Sequence, residues 1–197
     1  MSATVSTASA AAPPTNTVGH LRRLYFARFL FAAAWAGTFV GIGSSLDAAS
    51  ITLLVLYPAF DVAAAAFDAR TSRNRVLFVN MAISTAAVIG VAFAAADDIP
   101  AVLRVWGAWA IVAGLVQLFL ALKRRALGGQ WAMILSGGIS VIAGAGFLGQ
   151  ASSATSMKVV AGYAGLGGLF FLISAVRLLR KSNASNRSNA TKLSEVH

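Results

Sequence analysis

The sequence predicts an all-α protein: a polytopic transmembrane bundle of about six helices, built from two-helix hairpin repeats. Three observations predict it. Long apolar runs joined by short polar connectors fill the chain from about residue 20 to 181. The connectors alternate between rich and poor in basic residues. The last four runs repeat one another at a fixed offset of 54 residues.

The apolar runs fall at about 22–43, 51–68, 76–96, 100–122, 130–149 and 157–179. Each is close to the roughly 20 residues a helix needs to cross a bilayer. A helix satisfies its own backbone in lipid, and the alternating pattern of barrel strands is missing here. Composition agrees: 58% of the 197 residues are hydrophobic and 11% charged, against roughly 25% charged in a soluble domain. Mean hydropathy is +0.75. Pro58 falls inside the second run, where it frees the carbonyl of Leu54 and should kink the helix. Pro100 suits the first turn of the fourth.

Residues 1–19, rich in Ala, Ser, Thr and Pro and uncharged, read as a disordered tail without the basic region of a secretory signal. Residues 182–197, rich in Ser and Asn, read as a second disordered tail. The domain expected between them spans 20–181.

The connectors sort by charge. Arg22 and Arg23 precede the first run; Arg70, Arg73 and Arg75 separate the second and third; Lys123, Arg124 and Arg125 separate the fourth and fifth; Arg177, Arg180 and Lys181 end the sixth. The alternate connectors hold Asp47, Asp97 and Asp98, with Lys158 nearby. Short loops rich in Lys and Arg stay in the cytoplasm, so both termini are expected there, in a plasma (bacterial inner) membrane. Net charge is +10. Because the cations cluster at helix ends, the expected partners are the bilayer and its anionic lipids, with no nucleic acid. The three Asn-x-Ser/Thr sequons at Asn183, Asn186 and Asn189 then lie in the cytoplasm, where no glycan is added.

The repeat sets Ala110, Gly114, Leu115, Leu118 and Ala121 against Ala164, Gly168, Leu169, Leu172 and Ala175. It also sets Trp109 against Tyr163, Lys123 against Arg177, and Arg104 against Lys158. Gly90 meets Gly144 and Phe93 meets Phe147 at the same offset. The repeated unit is a hairpin of two helices, so the copies share one orientation and are related by an axis along the membrane normal. The first hairpin fits less well: aligning Asp61 with Gly114 also aligns Arg70 with Lys123, but few identities accompany them.

Within the repeat, Ile134-Leu-Ser-Gly-Gly-Ile-Ser-Val-Ile-Ala-Gly144, then Gly162-Tyr-Ala-Gly-Leu-Gly-Gly168, then Arg177, give a glycine-containing odd helix, an even helix with an aromatic and glycines, and a basic end. In this pattern residues 76–181 resemble the HdeD-like family of small bacterial membrane proteins, named for an acid-resistance protein. The resemblance implies a six-helix inner-membrane protein linked to acid or envelope stress, with no catalytic residue. The first hairpin departs from it, carrying Pro58 and Asp61 where the other copies carry neither.

The chain has no cysteine, and its two histidines, His20 and His197, lie in or beside the tails. Disulfides, thiolate chemistry and histidine-based metal sites within the membrane are therefore not expected, nor is any cofactor or enzymatic activity. Asp61 carries the most information. A carboxylate near mid-membrane costs roughly 2.5–3.5 kcal/mol on insertion scales, so it should face protein or trapped water. Pro58, Asp61, Ala65 and Asp68 share one helical face. Asp61 reads either as a proton or cation site in a polar cavity or as a structural ion pair or hydrogen bond, the latter being the ordinary case. Arg28, one and a half turns into the first helix, is the natural partner. Asp68, at similar depth, is its first expected contact and Asp61 its second.

Asp97, Asp98, Arg104 and Lys158 form an outer charged group in which the acids could pair with Arg104; interfacial anchoring is the plainer reading. Asn80, Ser84 and Gln117 suit interhelical hydrogen bonds. Small-residue stripes at Ala33, Gly37 and Gly41, at Ser136, Ser140 and Gly144, and at Ala161, Gly165 and Gly168 suit close helix packing, within the chain or in a homo-oligomer. Two functions compete: a non-enzymatic membrane protein of acid or envelope stress, and a small proton or cation transporter using Asp61.

Overall fold

In the computed structural model residues 15–72 and 74–194 are described, with side chains from 17 to 184 apart from position 73. Six helices follow in order: α1 (Thr15–Ile42), α2 (Ala48–Ser72), α3 (Arg75–Ala94), α4 (Ile99–Lys123), α5 (Trp131–Gln150) and α6 (Lys158–Ser194). Single 3₁₀ turns at Arg125–Leu127 and Ala151–Ser153 complete the secondary structure, and the described residues contain no strand. All six helices are long and apolar enough to cross a membrane, with mean hydropathy from 1.4 to 2.2.

The helix starts follow from local chemistry. Asn74 accepts from the Val76 N–H at 3.1 Å and opens α3. Asp98 accepts from the Ala101 N–H at 2.6 Å and opens α4, with Pro100 in its first turn, where no donor is lost. Asp47 and Ser50 bond each other reciprocally, Ser50 N to Asp47 Oδ1 at 2.8 Å and Asp47 N to Ser50 Oγ at 3.0 Å, at the start of α2. Gly128 and Gly129 turn the chain between α4 and α5 at φ 83° and 71°, a region that favours glycine. α2 is helical throughout, Pro58 included.

Both tail boundaries differ from expectation. α1 starts at Thr15, inside the segment read as a tail to residue 19, and residues 1–14 lie outside the described residues. α6 continues to Ser194, past the expected boundary at 182. From Leu169 to Ser194 there is neither glycine nor proline. Extending an existing helix costs far less than nucleating one, so nothing local stops it.

Each helix packs on its neighbours in sequence, and α6 returns to α1, closing a ring. The contacts alternate. α2 with α3, α4 with α5 and α6 with α1 are the extensive pairs, while α1 with α2, α3 with α4 and α5 with α6 touch less. Hairpins therefore meet one another more closely than their own two helices meet. The glycines carry this. A Cβ on Gly114 would lie 2.8 Å from Ser140 Cβ and 2.9 Å from the Gly137 carbonyl. A Cβ on Gly168 would meet Ala32 Cβ at 3.1 Å and the Phe29 carbonyl at 3.7 Å. Gly168 lies 54 residues after Gly114, and Ala32 and Phe29 lie 108, twice 54, before Ser140 and Gly137. The α4–α5 contact thus recurs between α6 and α1 at the repeat spacing, and brings the first hairpin into the pattern.

The small-residue stripes divide. Those of α5 and α6 pack inside the ring, whereas Ala33, Gly37 and Gly41 of α1 are exposed, with nothing within 4 Å of a Cβ at either glycine. Large apolar side chains such as Phe78, Phe93 and Ile142 also face outward. In a bilayer that exposure has no hydration cost.

Candidate functional site

The polar groups are inside. With consecutive helices antiparallel, one end of the ring gathers Arg22, Arg70, Lys123, Arg177 and their neighbours, and the other gathers Asp47, Asp97 and Asp98. On the acidic side of the interior, Trp35, Phe39, Tyr57, Trp106 and Trp109 form one aromatic cluster, with Trp106 between Trp35 at 5.8 Å and Trp109 at 5.2 Å. The Trp35 indole donates to the Leu53 carbonyl at 2.7 Å. Below this cluster lies a cavity of about 110 Å³ to which all six helices contribute. It has room for several waters.

Asp61 is the hub. Its Oδ1 accepts from Arg28 Nη1 of α1 at 2.7 Å. Its Oδ2 accepts from Asn80 Nδ2 and Ser84 Oγ of α3, each at 2.7 Å. Trp109 Nε1 of α4 donates in turn to Ser84 Oγ at 3.0 Å. The Arg28 guanidinium lies 5.1 Å from the centroid of the Phe171 ring of α6. One carboxylate, on a side chain 13% exposed, therefore ties four helices directly or through one intermediary, and its cation reaches a fifth. Three donors, one of them charged, offset the cost of a mid-membrane carboxylate.

Asp68 has a different partner from the one expected. Arg124, at the end of α4, grips it with both terminal nitrogens, Nη1 to Oδ2 at 2.7 Å and Nη2 to Oδ1 at 2.9 Å. Burial alone would lower the Arg124 guanidinium's pKa, but the Asp68 carboxylate raises it on balance. Arg28 therefore meets Asp61, its second expected contact, because Asp68 is already claimed. Sequence reasoning treated Arg124 only as a topology-setting charge. Two residues on different hairpins share no local pattern that could have paired them.

The remaining lining mixes apolar side chains such as Leu77, Leu120 and Met133 with a few polar ones. Tyr163 donates to Ser140 at 3.1 Å, Gln117 to the Met133 carbonyl at 3.3 Å, and Tyr25 to Gln130 at 3.1 Å. Ser136 and Tyr57 also line the cavity, and the buried side-chain polar atom without a hydrogen-bond partner among the described residues is Trp106 Nε1. Asn80, Ser84 and Gln117 thus make the interhelical bonds expected of them.

The outer charged group does not assemble. Asp97, Asp98, Arg104 and Lys158 are all exposed, and the only ion pairs among the described residues are Arg28–Asp61 and Arg124–Asp68. Asp98 spends its carboxylate on the α4 cap instead of on Arg104. No set of three His, Asp or Glu side chains able to hold a metal ion occurs among the described residues. Comparison with protein-family models, with curated proteins and with solved structures gives no match to this chain.

Proposed function

We propose that the chain is a non-enzymatic, HdeD-like protein of the bacterial inner membrane, with both termini cytoplasmic, that acts in the response to acid or envelope stress. Its buried charges serve as structural ties. The observation that carries this reading is the hydrogen bonding of Asp61: both carboxylate oxygens accept bonds, from Arg28, Asn80 and Ser84. An ion in transit needs a site it can enter and leave, and here it would have to displace a guanidinium. The paired charges leave no net charge in the cavity to attract either sign. The stress role and cellular location rest on the sequence resemblance and the charge asymmetry of the connectors. The test is survival of a deletion strain in acid and under envelope stress. Loss of survival restored by the wild-type gene supports the role, and unchanged survival across both conditions overturns it.

A second reading, proton or cation transport, is favoured by one observation: the cavity of about 110 Å³ that both Asp61 and Asp68 line. Flux into liposomes separates the two. Transport requires a flux that Asp61→Asn abolishes, whereas the structural reading requires none above the lipid background.

A further inference from the structure

A second concavity lies on the outer, lipid-facing side of the ring, between α1 and α2 at the basic end. It is a groove of about 310 Å³ bounded by Arg23, Leu24 and Ala27 of α1 and by Phe60, Ala63, Ala64 and Phe67 of α2. We propose that this groove seats one anionic phospholipid, an acyl chain lying along its floor and the phosphate meeting Arg23.

Three features of the groove support one occupant. The backbones of α1 and α2 are among those of neighbouring helices that approach least closely, and alanines line the gap where larger side chains would fill it: Ala27 and Ala63 are exposed, Ala64 buried. Apart from Arg23 every wall residue is apolar, with Phe60 and Phe67 as the bulky sides, so the chemistry suits hydrocarbon. Arg23 is the exposed exception, placed at the basic end where a headgroup would lie. An apolar slot with a cation at its mouth is complementary to an acyl chain bearing a phosphate, and Arg presents a planar fork to that group. The wall is held in shape at the same end by His20 of α1, which stacks on Phe67 of α2 at 4.2 Å and lies 3.1 Å from the Thr71 hydroxyl.

The test is lipid retention by the full chain in detergent, read by native mass spectrometry with added phosphatidylglycerol or phosphatidylcholine. Wild type should retain one phosphatidylglycerol in preference to phosphatidylcholine. Arg23→Gln should weaken phosphatidylglycerol about fivefold, the worth of one cation near a membrane surface, and weaken phosphatidylcholine, whose choline offsets its phosphate, by less. Ala63→Leu fills the groove from an exposed position, so it should keep the fold and weaken both lipids. Arg75→Gln, an exposed cation on α3 outside the groove, should change neither. Equal retention of the two lipids by wild type, or unaltered phosphatidylglycerol retention in Arg23→Gln or in Ala63→Leu, overturns the proposal. So does a chain dimer that Ala63→Leu abolishes while lipid retention stays as in wild type.

Discussion

Arg28 Nη1 lies 2.7 Å from Asp61 Oδ1, joining α1 to α2, whose backbones approach each other less than those of α6 and α1. Both side chains are mostly buried, 17% and 13% exposed. Removing one partner strands the other charge, which costs far more than removing both. Asp61→Asn and Arg28→Gln should each destabilise the protein by about 3 kcal/mol. The double variant should recover part of that loss, a coupling that thermal unfolding in detergent can measure. Additive losses would mean that the pair does not act as one unit.

Arg124 and Asp68 form the second tie, and its two-pronged geometry sets it apart. Lysine keeps the charge but offers a single ammonium. Arg124→Lys should therefore lose about 1–2 kcal/mol and Arg124→Gln about 3 kcal/mol. Equal stability of the lysine variant and wild type would show that only the charge matters.

These two ties mark where the sequence was readable and where it was not. The six helices and the polar interior were legible because each is a local signal: an apolar run, Pro100 at a first turn, a carboxylate too costly to face lipid. The choice between Asp61 and Asp68 as partner for Arg28 was not, because it depends on how α4 places Arg124 across the ring. The ring itself was half visible. Gly114 and Gly168 matched in sequence, but Ala32 and Phe29 have no identity with Ser140 and Gly137. What repeats there is small volume and backbone approach, not residue type. The possible pairing of the outer acids with Arg104 does not form, since an exposed Asp98 gains more from the free N–H groups of α4 than from a solvated Arg104.

The glycines of the α4–α5 contact give a third prediction. A Cβ on Gly144 would meet the Gly107 carbonyl and Ile111 at or below 2.9 Å, and one on Gly114 would meet Gly137 and Ser140 as closely. Gly114→Ala and Gly144→Ala should destabilise by about 1–3 kcal/mol through overpacking. Gly138, on the same helix as Gly144, has nothing within 4 Å of a Cβ. Gly138→Ala should be neutral or stabilise by up to about 1 kcal/mol through helix propensity. A uniform response of all three would argue against close backbone packing as the glycine requirement.

The orientation proposed from charge is checked by thiol labelling, aided by the lack of native cysteine. Cysteines placed at the exposed Ser45 and Ser153 should react with an impermeant reagent from outside the cell, and one at Ser72 should not. The opposite pattern would invert the topology.

The last prediction concerns pH at the acidic end, where Asp47 starts α2 outside the apolar span. Its carboxyl is held below its ordinary 3.8 first by the Ser50 backbone N–H, then by the Ser50 hydroxyl, with Ser45 Oγ adding a bond at 3.2 Å. A carboxylate at a helix N-terminus also meets the positive end of the helix dipole. Because the folded value is depressed, the charged form stabilises the fold. That contribution is full above 3.8 and is lost as pH falls through the lower, folded value. Asp47→Asn keeps an acceptor oxygen but has no charge to lose. Wild type should therefore unfold at a higher temperature than Asp47→Asn at neutral pH, and the gap should close as the pH is taken below 3.8. The comparison between the two chains cancels the titration of every other acid that both retain, so it isolates this cap. A gap that stays constant from neutral to acid pH would show that the cap works through its hydrogen bonds alone, with no contribution from the charge.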